Sequence, residues 1–375
     1  MTKITDENGI SFIINTYDHT AEITISKPTT ENVFIPRTVK YQSQEYLITK
    51  IRERSFKDAK VESITFSEDS QIKEFCDECF DSTLISSITI PNSVTKIGNF
   101  VFSWCSKLKT VEISDDSNLN FIGKKNFFVT HVDNLHIPSK LTELKDEWCC
   151  DTIDLINLTV SPKNQNFCIY KKKMLIGKHI PTSNDFDDLK FVFRNATKIT
   201  IPSSIVRISP YSMSFCRQLH TIQFDKNSNL KEIANHAFGN SHIKKFEIPS
   251  TIRTIGDHAF MECYDLFTVI FPNDFKIKTL PDNLFFNSGL KQCIVPATVS
   301  EIGYSCFSQC NELKFIEFAA EDELIFRNYS LFQCKNLSML CIGNAKKVVF
   351  QRKILDEIPE DCMLLFNTGL IINIL

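Results

Sequence analysis

The stretch KKFEIPSTIRTIGDHAFMECYDL, Lys244 to Leu266, decides how the chain is read. It brings Asp257, His258, Glu262 and Cys263 together, the residue types of an active site or metal centre. Its framework, however, recurs. SSITIPNSVTKIGNFVFSWCSKL starts at residue 86, DNLHIPSKLTELKDEWCCDTIDL at 133, TKITIPSSIVRISPYSMSFCRQL at 197 and KQCIVPATVSEIGYSCFSQCNEL at 291, each 23 residues long. Units of 24 residues lie between them at 62–85, 109–132, 220–243, 267–290 and 314–337, keeping the apolar positions while most lose the proline. Ile90 and Ile137 are 47 residues apart, as are Ile201, Ile248 and Val295 in succession. Periods of this size are the signature of a repeat array, in which each unit buries its apolar side against its neighbours.

Within one unit the residue order dictates a coil. Phe246 and Ile248 alternate with Lys245 and Glu247, the period of a half-buried strand. Pro249 has no amide hydrogen to give a ladder and closes that strand. Ile252 and Ile255 point back to the core, and Gly256, with Gly98, Gly123 and Gly303 at the same place, is expected to permit a sharp backbone turn. An aromatic knob follows: Phe102, Phe260 and Phe307 in the shorter units, and Phe80, Phe127, Phe238, Phe285 and Phe332 in the longer ones. Cys105, Cys216, Cys263 and Cys310 share place 20 of their units, Cys334 stands equivalently, and Asn240 and Asn287 are read at the matching place in other units. Stacked equivalents form a ladder of buried structural thiols, expected to be reduced. Asp257, His258 and Glu262 vary from unit to unit, as outward turn residues do, so the opening cluster is repeat architecture and no catalytic residue is assigned.

Composition narrows the function classes. With 42 basic and 45 acidic side chains there is no cationic surplus to neutralise phosphates, which argues against nucleic acid as partner. Lys171-Lys172-Lys173 reads as a solvated hairpin. The start MTKITDENGISF lacks the apolar core of a signal peptide, so sequence signals place the chain in the cytoplasm. The tail CMLLFNTGLIINIL, residues 362–375, is 14 residues long and carries Asn367 and Asn373, too short and polar for a transmembrane segment.

Strand-bearing units begin near residues 31, 62, 86, 109, 133, 156, 197, 220, 244, 267, 291, 314 and 338, about 13 in all. The expected organisation is a β-hairpin cap over 1–30 with its turn near Asp18, a solenoid over 31–345, and a C-terminal cap over 346–375. KYQSQEYL is read as a small excursion, and an insertion at 162–196 as a hairpin with a turn at PTSND.

A strand closed by Ile-Pro and followed by IG, AF, C and L at fixed intervals resembles the BspA-type (Treponema pallidum-like) leucine-rich repeat family over about residues 10–345. The resemblance implies an α/β-type repeat solenoid: a right-handed leucine-rich-repeat superhelix with a parallel concave sheet and an irregular or short-helical convex side. It further implies protein binding or adhesion rather than catalysis, and a surface antigen as the usual setting, so the cell surface by a non-classical route is the alternative location. The unit at 133 departs from the pattern, with Cys149 in the aromatic place.

Other chemistry is weak. Cys76 and Cys79 form CDEC without the second pair that zinc needs and without a thioredoxin-like frame. Gly177-Lys178 lacks the upstream glycine of a phosphate loop, and no two histidines stand at helical i, i+4 spacing. No metal, cofactor or enzymatic activity is expected. The strand face is the place for a partner. Its solvent positions are polar along most of the chain and become apolar late, at Ile270, Ile294, Phe315 and Met339, rimmed by Lys245, Glu247, Gln292 and Glu317. Such a patch is expected to bind a protein partner. Two alternatives stay open: residues 346–375 fold across the patch, or the face binds a glycan, for which it has few aromatics.

Overall fold

A computed structural model describes residues 2–180, 184–351, 358–366 and 371–374. The chain divides into two compact units, residues 1–184 and 185–375. Each is a β-solenoid built of parallel ladders. Pro181, Thr182 and Ser183, the centre of the expected PTSND turn, lie outside the described residues.

In the first unit, Thr2–Thr5, Ser11–Asn15 and Thr20–Thr24 form an antiparallel cap. Parallel coils stack on it. One ladder joins Ser87–Thr89, Thr110–Glu112, Asn134–Ile137 and Asn157–Val160. A second joins Gln44–Ile51 to the short strands Glu74–Phe75, Lys96–Ile97, Phe121–Ile122 and Glu143–Leu144. The excursion is a hairpin pairing Thr38–Tyr41 with Gln44–Ile51, turned at Gln42 (φ 50°) and Ser43 (φ 64°). A second hairpin pairs Phe167–Tyr170 with Met174–Gly177 across Lys171 (φ 49°) and Lys172 (φ 55°). Two successive left-handed residues match the strand twist, which explains the lysine run as a tight turn.

In the second unit, one sheet runs Lys245–Glu247, Thr268–Ile270, Gln292–Val295, Phe315–Phe318, Met339–Ile342 and Met363–Phe366. Short strands such as Arg207–Ile208, Glu232–Ile233 and Thr254–Ile255 make the other ladder.

The remaining side of each coil is not helical, contrary to the α/β and short-helical expectation: among the described residues there is no helix. His258, Phe260 and Glu262 each donate their amide to the next coil, at Asp282, Leu284 and Phe286, instead of to a carbonyl four residues back. His258 (φ 60°) and Glu262 (φ 57°) are left-handed, and a left-handed residue every fourth position prevents helix propagation. The segment is therefore a third inter-coil ladder, with left-handed residues recurring at Arg54, Glu78, Phe100 and Lys125 in the first unit.

The core is a column of rings. Phe56, Phe80, Phe102 and Phe127 stack at 5.7, 5.9 and 6.1 Å in the first unit. Phe238, Phe260, Phe285 and Phe307 stack at 4.8, 5.6 and 5.4 Å in the second. Each buried ring contributes about 2–3 kcal/mol of apolar transfer. One knob is reassigned. Phe332 is half-buried and packs on Tyr329, whereas Leu331 is fully buried. Phe307 donates to Ser330, the residue before Leu331, just as Phe285 donates to Cys306, the residue before Phe307, so Leu331 occupies the core place.

Two more expectations change. Gly256 is not at positive φ; a Cβ there would lie 2.5 Å from the amide nitrogen of Asn235 in the preceding coil. The glycine is required for close approach of coils rather than for a turn. Asn240 and Asn287 are left-handed turn residues facing outward, the amide of Asn240 donating to Glu262 at 2.7 Å. The ladder places beside them belong to Ser241 and Ser288, both buried.

Candidate functional site

Geometry separates the buried chemistry from the accessible chemistry. Cys105, Cys263, Cys310 and Cys334 are fully buried, and each thiol donates to the carbonyl of the knob one coil earlier, Phe80, Phe238, Phe285 and Phe307, at 3.1, 3.1, 3.0 and 3.1 Å. Burial pushes the Cys263 thiol up to about 12 and Cys105 and Cys310 to about 11. A thiol that holds its proton is neither a nucleophile nor a metal ligand. In CDEC, burial and then the Glu74 carboxylate raise Cys76 to about 11, and Cys79 is raised well above its usual range by burial. All 14 cysteines are free thiols. Among the described residues no three His, Cys, Asp or Glu side chains converge as a metal site, and no helix is long and apolar enough to cross a membrane.

Of the opening cluster, Asp257, His258 and Glu262 lie on the turn side. His258 stacks on His236 at 4.5 Å, and His236 on Tyr211 at 4.7 Å. Burial lowers the His258 pKa, against the pull of the Asp257 and Asp282 carboxylates.

The eight strand-face residues singled out in the sequence all lie in the second unit. In-register pairing aligns Lys245 with Thr268, Thr268 with Gln292, Gln292 with Phe315, and Phe315 with Met339. The adjacent row aligns Glu247 with Ile270, and Ile294 with Glu317 and then Cys341. Ile270 is 43% and Ile294 57% exposed, while Phe315, Glu317 and Met339 are half-buried. Lys245 and Glu247 are exposed and paired with each other at 2.6 Å. The described parts of the tail do not cross this face. Met363–Phe366 instead pairs with Met339–Ile342 and adds Met363, 55% exposed, and Leu365, 42% exposed, to the two rows. Lys347–Phe350 and Ile371–Ile374 extend the other ladder. Residues 352–357, 367–370 and 375 lie outside the described residues.

The equivalent face of the first unit is chemically different. Ser87, Thr110, Asn134 and Asn157 align in one row, Thr89 with Glu112 and His136 with Thr159 in the next. Thr89 donates to Glu112 at 2.8 Å. His136 is held from both sides, Nε2 3.2 Å from Asp115 and Nδ1 2.8 Å from the Thr159 hydroxyl. The two contacts fix the ring between a carboxylate and a hydroxyl. Hydrogen bonds from Ser161 and then His136 hold the Asp115 carboxyl below its usual range. The sequence reads this stretch of the strand face as polar but does not join His136 and Thr159 to Asp115. The signal was their spacing: 21 and 23 residues separate neighbours in the trio, about one coil each.

Comparison with known proteins agrees with this architecture. The BspA type leucine-rich repeat region matches in six copies, over residues 30–167, 185–314 and 276–349. No curated protein matches the chain significantly. Among solved structures, the pneumococcal vaccine antigen PcpA is 18% identical, with 100% of this chain and 98% of that one covered at a TM-score of 0.62. A leucine-rich cell surface protein of Faecalibacterium prausnitzii is 19% identical, with 97% and 99% covered at 0.60. A leucine-rich repeat protein of Bacteroides ovatus is 19% identical, with 97% and 99% covered at 0.56. At such identities the likeness is one of fold.

Proposed function

This chain belongs to the BspA-type leucine-rich repeat family, and from that premise we propose that it is a non-enzymatic interaction scaffold of the adhesion type, docking a protein partner on the strand face of its second unit. The observation that carries this reading is the exposure of Ile270 and Ile294 on paired strands, next to Phe315, Met339, Met363 and Leu365. A contiguous apolar surface with a polar rim is what protein interfaces use at their centre. Lys245, Glu247, Gln292 and Glu317 supply the rim and set orientation more than affinity. Display at the cell surface fits this role better than the cytoplasm, and one of the structural neighbours is itself described as a cell surface protein.

The test is quantitative cross-linking mass spectrometry with the wild-type protein and the Ile294→Glu/Phe315→Glu variant, run beside surface biotinylation of cells producing the chain. Partners that cross-link to 245–365 in the wild type and vanish in the variant support the reading. An unchanged partner set on a variant with an unchanged melting curve removes the patch from it.

A further inference from the structure

The strand face of the first unit carries a groove whose outward side chains differ from the apolar patch of the second unit. Two contiguous depressions of about 520 and 550 Å³ share Thr89 and Ser114 and follow the sheet from Ser63 to Thr159. Their floor is made by outward side chains spaced one strand apart, about 4.8 Å. The outward side chains are mostly hydroxyls and amides, set over an apolar base that includes Ile64, Phe66, Ile88, Val111, Ile113 and Leu135, so each depression exposes more apolar than polar surface. Ser, Thr and Asn each donate and accept, which is the hydrogen-bonding habit of a polyol. Lysine and arginine are absent from the lining, and Glu68 and Glu112 are its charged groups, so the groove disfavours an anionic ligand.

Two features give this floor a fixed shape. His136 is clamped between Asp115 and Thr159, and Glu112 is bridged by Thr89, so neither planar group needs ordering when a ligand arrives. At the N-terminal end of the row, Phe34 pairs in register with Thr65 and is 58% exposed, an aromatic surface beside the polar floor. An apolar ring at one end, an immobilised imidazole at the other and, between them, hydroxyl and amide groups over an apolar base match the alternation of C–H faces and hydroxyl edges along a sugar chain. An extended peptide would need pockets for its side chains, and the floor presents short polar groups instead.

We propose that the strand face of residues 63–159 binds a neutral oligosaccharide, with Thr110, Asn134 and the clamped His136 as its central contacts. This site is independent of the protein-docking patch and stands or falls apart from it.

The experiment is isothermal titration calorimetry of the full chain with cellohexaose, maltohexaose and chitohexaose, with hyaluronan hexasaccharide as the anionic comparator. The expected result is saturable binding of at least one neutral hexasaccharide, weakened by about tenfold in His136→Ala and in Thr110→Val/Asn134→Leu, the loss of one or two hydrogen bonds. Ile294→Glu, in the other unit, leaves that affinity unchanged. Asp115→Asn provides a second readout: the clamp is weakened without removing a direct contact, so affinity falls less than in His136→Ala. Absence of saturable binding to all three neutral sugars overturns the proposal. So does equal or tighter binding of hyaluronan, or unchanged affinity in the groove variants with melting curves like the wild type. Selection of displayed random peptides that bind in a His136-dependent way, with no sugar competing, also overturns it.

Discussion

The Cys263 thiol donates to the carbonyl oxygen of Phe238 at 3.1 Å, joining the side chain of one coil to the backbone of the coil before it. The same carbonyl already accepts the Ser241 amide at 2.9 Å, so the thiol fills its second lone pair. In the first unit Cys105 bonds Phe80 in the same way, and Thr83 bonds Phe80 from within its own coil at 2.9 Å. A small donor three residues after the knob is thus the rule of the array, met by Cys, Ser or Thr.

Cys263→Ala removes that hydrogen bond and leaves a small void. Urea unfolding should show a loss of about 1–3 kcal/mol. Cys341→Ala, on the half-exposed strand face, should stay within about 0.5 kcal/mol of wild type.

Thiol labelling gives a second check on the ladder. In the native protein at pH 8, iodoacetamide should modify the partly accessible Cys168, Cys341 and Cys362, Cys76 far more slowly because burial and the Glu74 carboxylate push its thiol up to about 11, and the remaining cysteines only after unfolding. Protection follows from burial, which keeps Cys263 and its equivalents protonated well above that pH. Rapid native labelling of Cys263, read by peptide mass spectrometry, would contradict it.

The reassigned knob can be tested by paired truncations. Leu331→Ala should cost about 2–5 kcal/mol and Phe332→Ala markedly less, because one side chain is in the core and the other is half-exposed. The reverse order in denaturant melts would restore Phe332 to the column.

Gly256→Ala drives a Cβ against the backbone of Asn235 and should lower the melting temperature. Gly239→Ala meets nothing nearer than 3.6 Å and should be tolerated. The contrast isolates close packing of coils from loss of glycine flexibility.

His258 sets a pH dependence. Its folded-state pKa lies below the ordinary histidine value because burial disfavours the charged ring. A depressed folded pKa means that the folded state binds fewer protons, so this contribution is full above about pH 6.5 and is lost as the pH falls through the folded value. His258→Gln should flatten the fall in melting temperature between about pH 7 and pH 5. An unchanged slope would show that the stacked imidazoles do not govern it.

How far the sequence could be read depended on whether a property repeats along the chain or arises between coils. The ring column was legible because Phe260 recurs as Phe285 and Phe307, and the strands because Phe246 and Ile248 alternate with charged residues. The short-helical expectation for the turn side came from the family resemblance and not from the residues, because nothing in GDHAFMEC taken alone shows where its amides are donated. Only the neighbouring coil reveals that its alternate amides are donated sideways. The Asp115–His136–Thr159 contact was hidden for a related reason: no local rule links residues 21 and 23 apart until the coils are in register.

By itself, the sequence determined the period, the family, the buried column and which side chains face solvent from the strands, since each follows from apolar spacing within a coil. Tertiary structure alone decided that the third side is an inter-coil ladder, that Leu331 rather than Phe332 is buried, and that the tail lengthens the apolar face. Those outcomes depend on hydrogen bonds and close approaches between successive coils, and such contacts exist only once the chain has stacked upon itself.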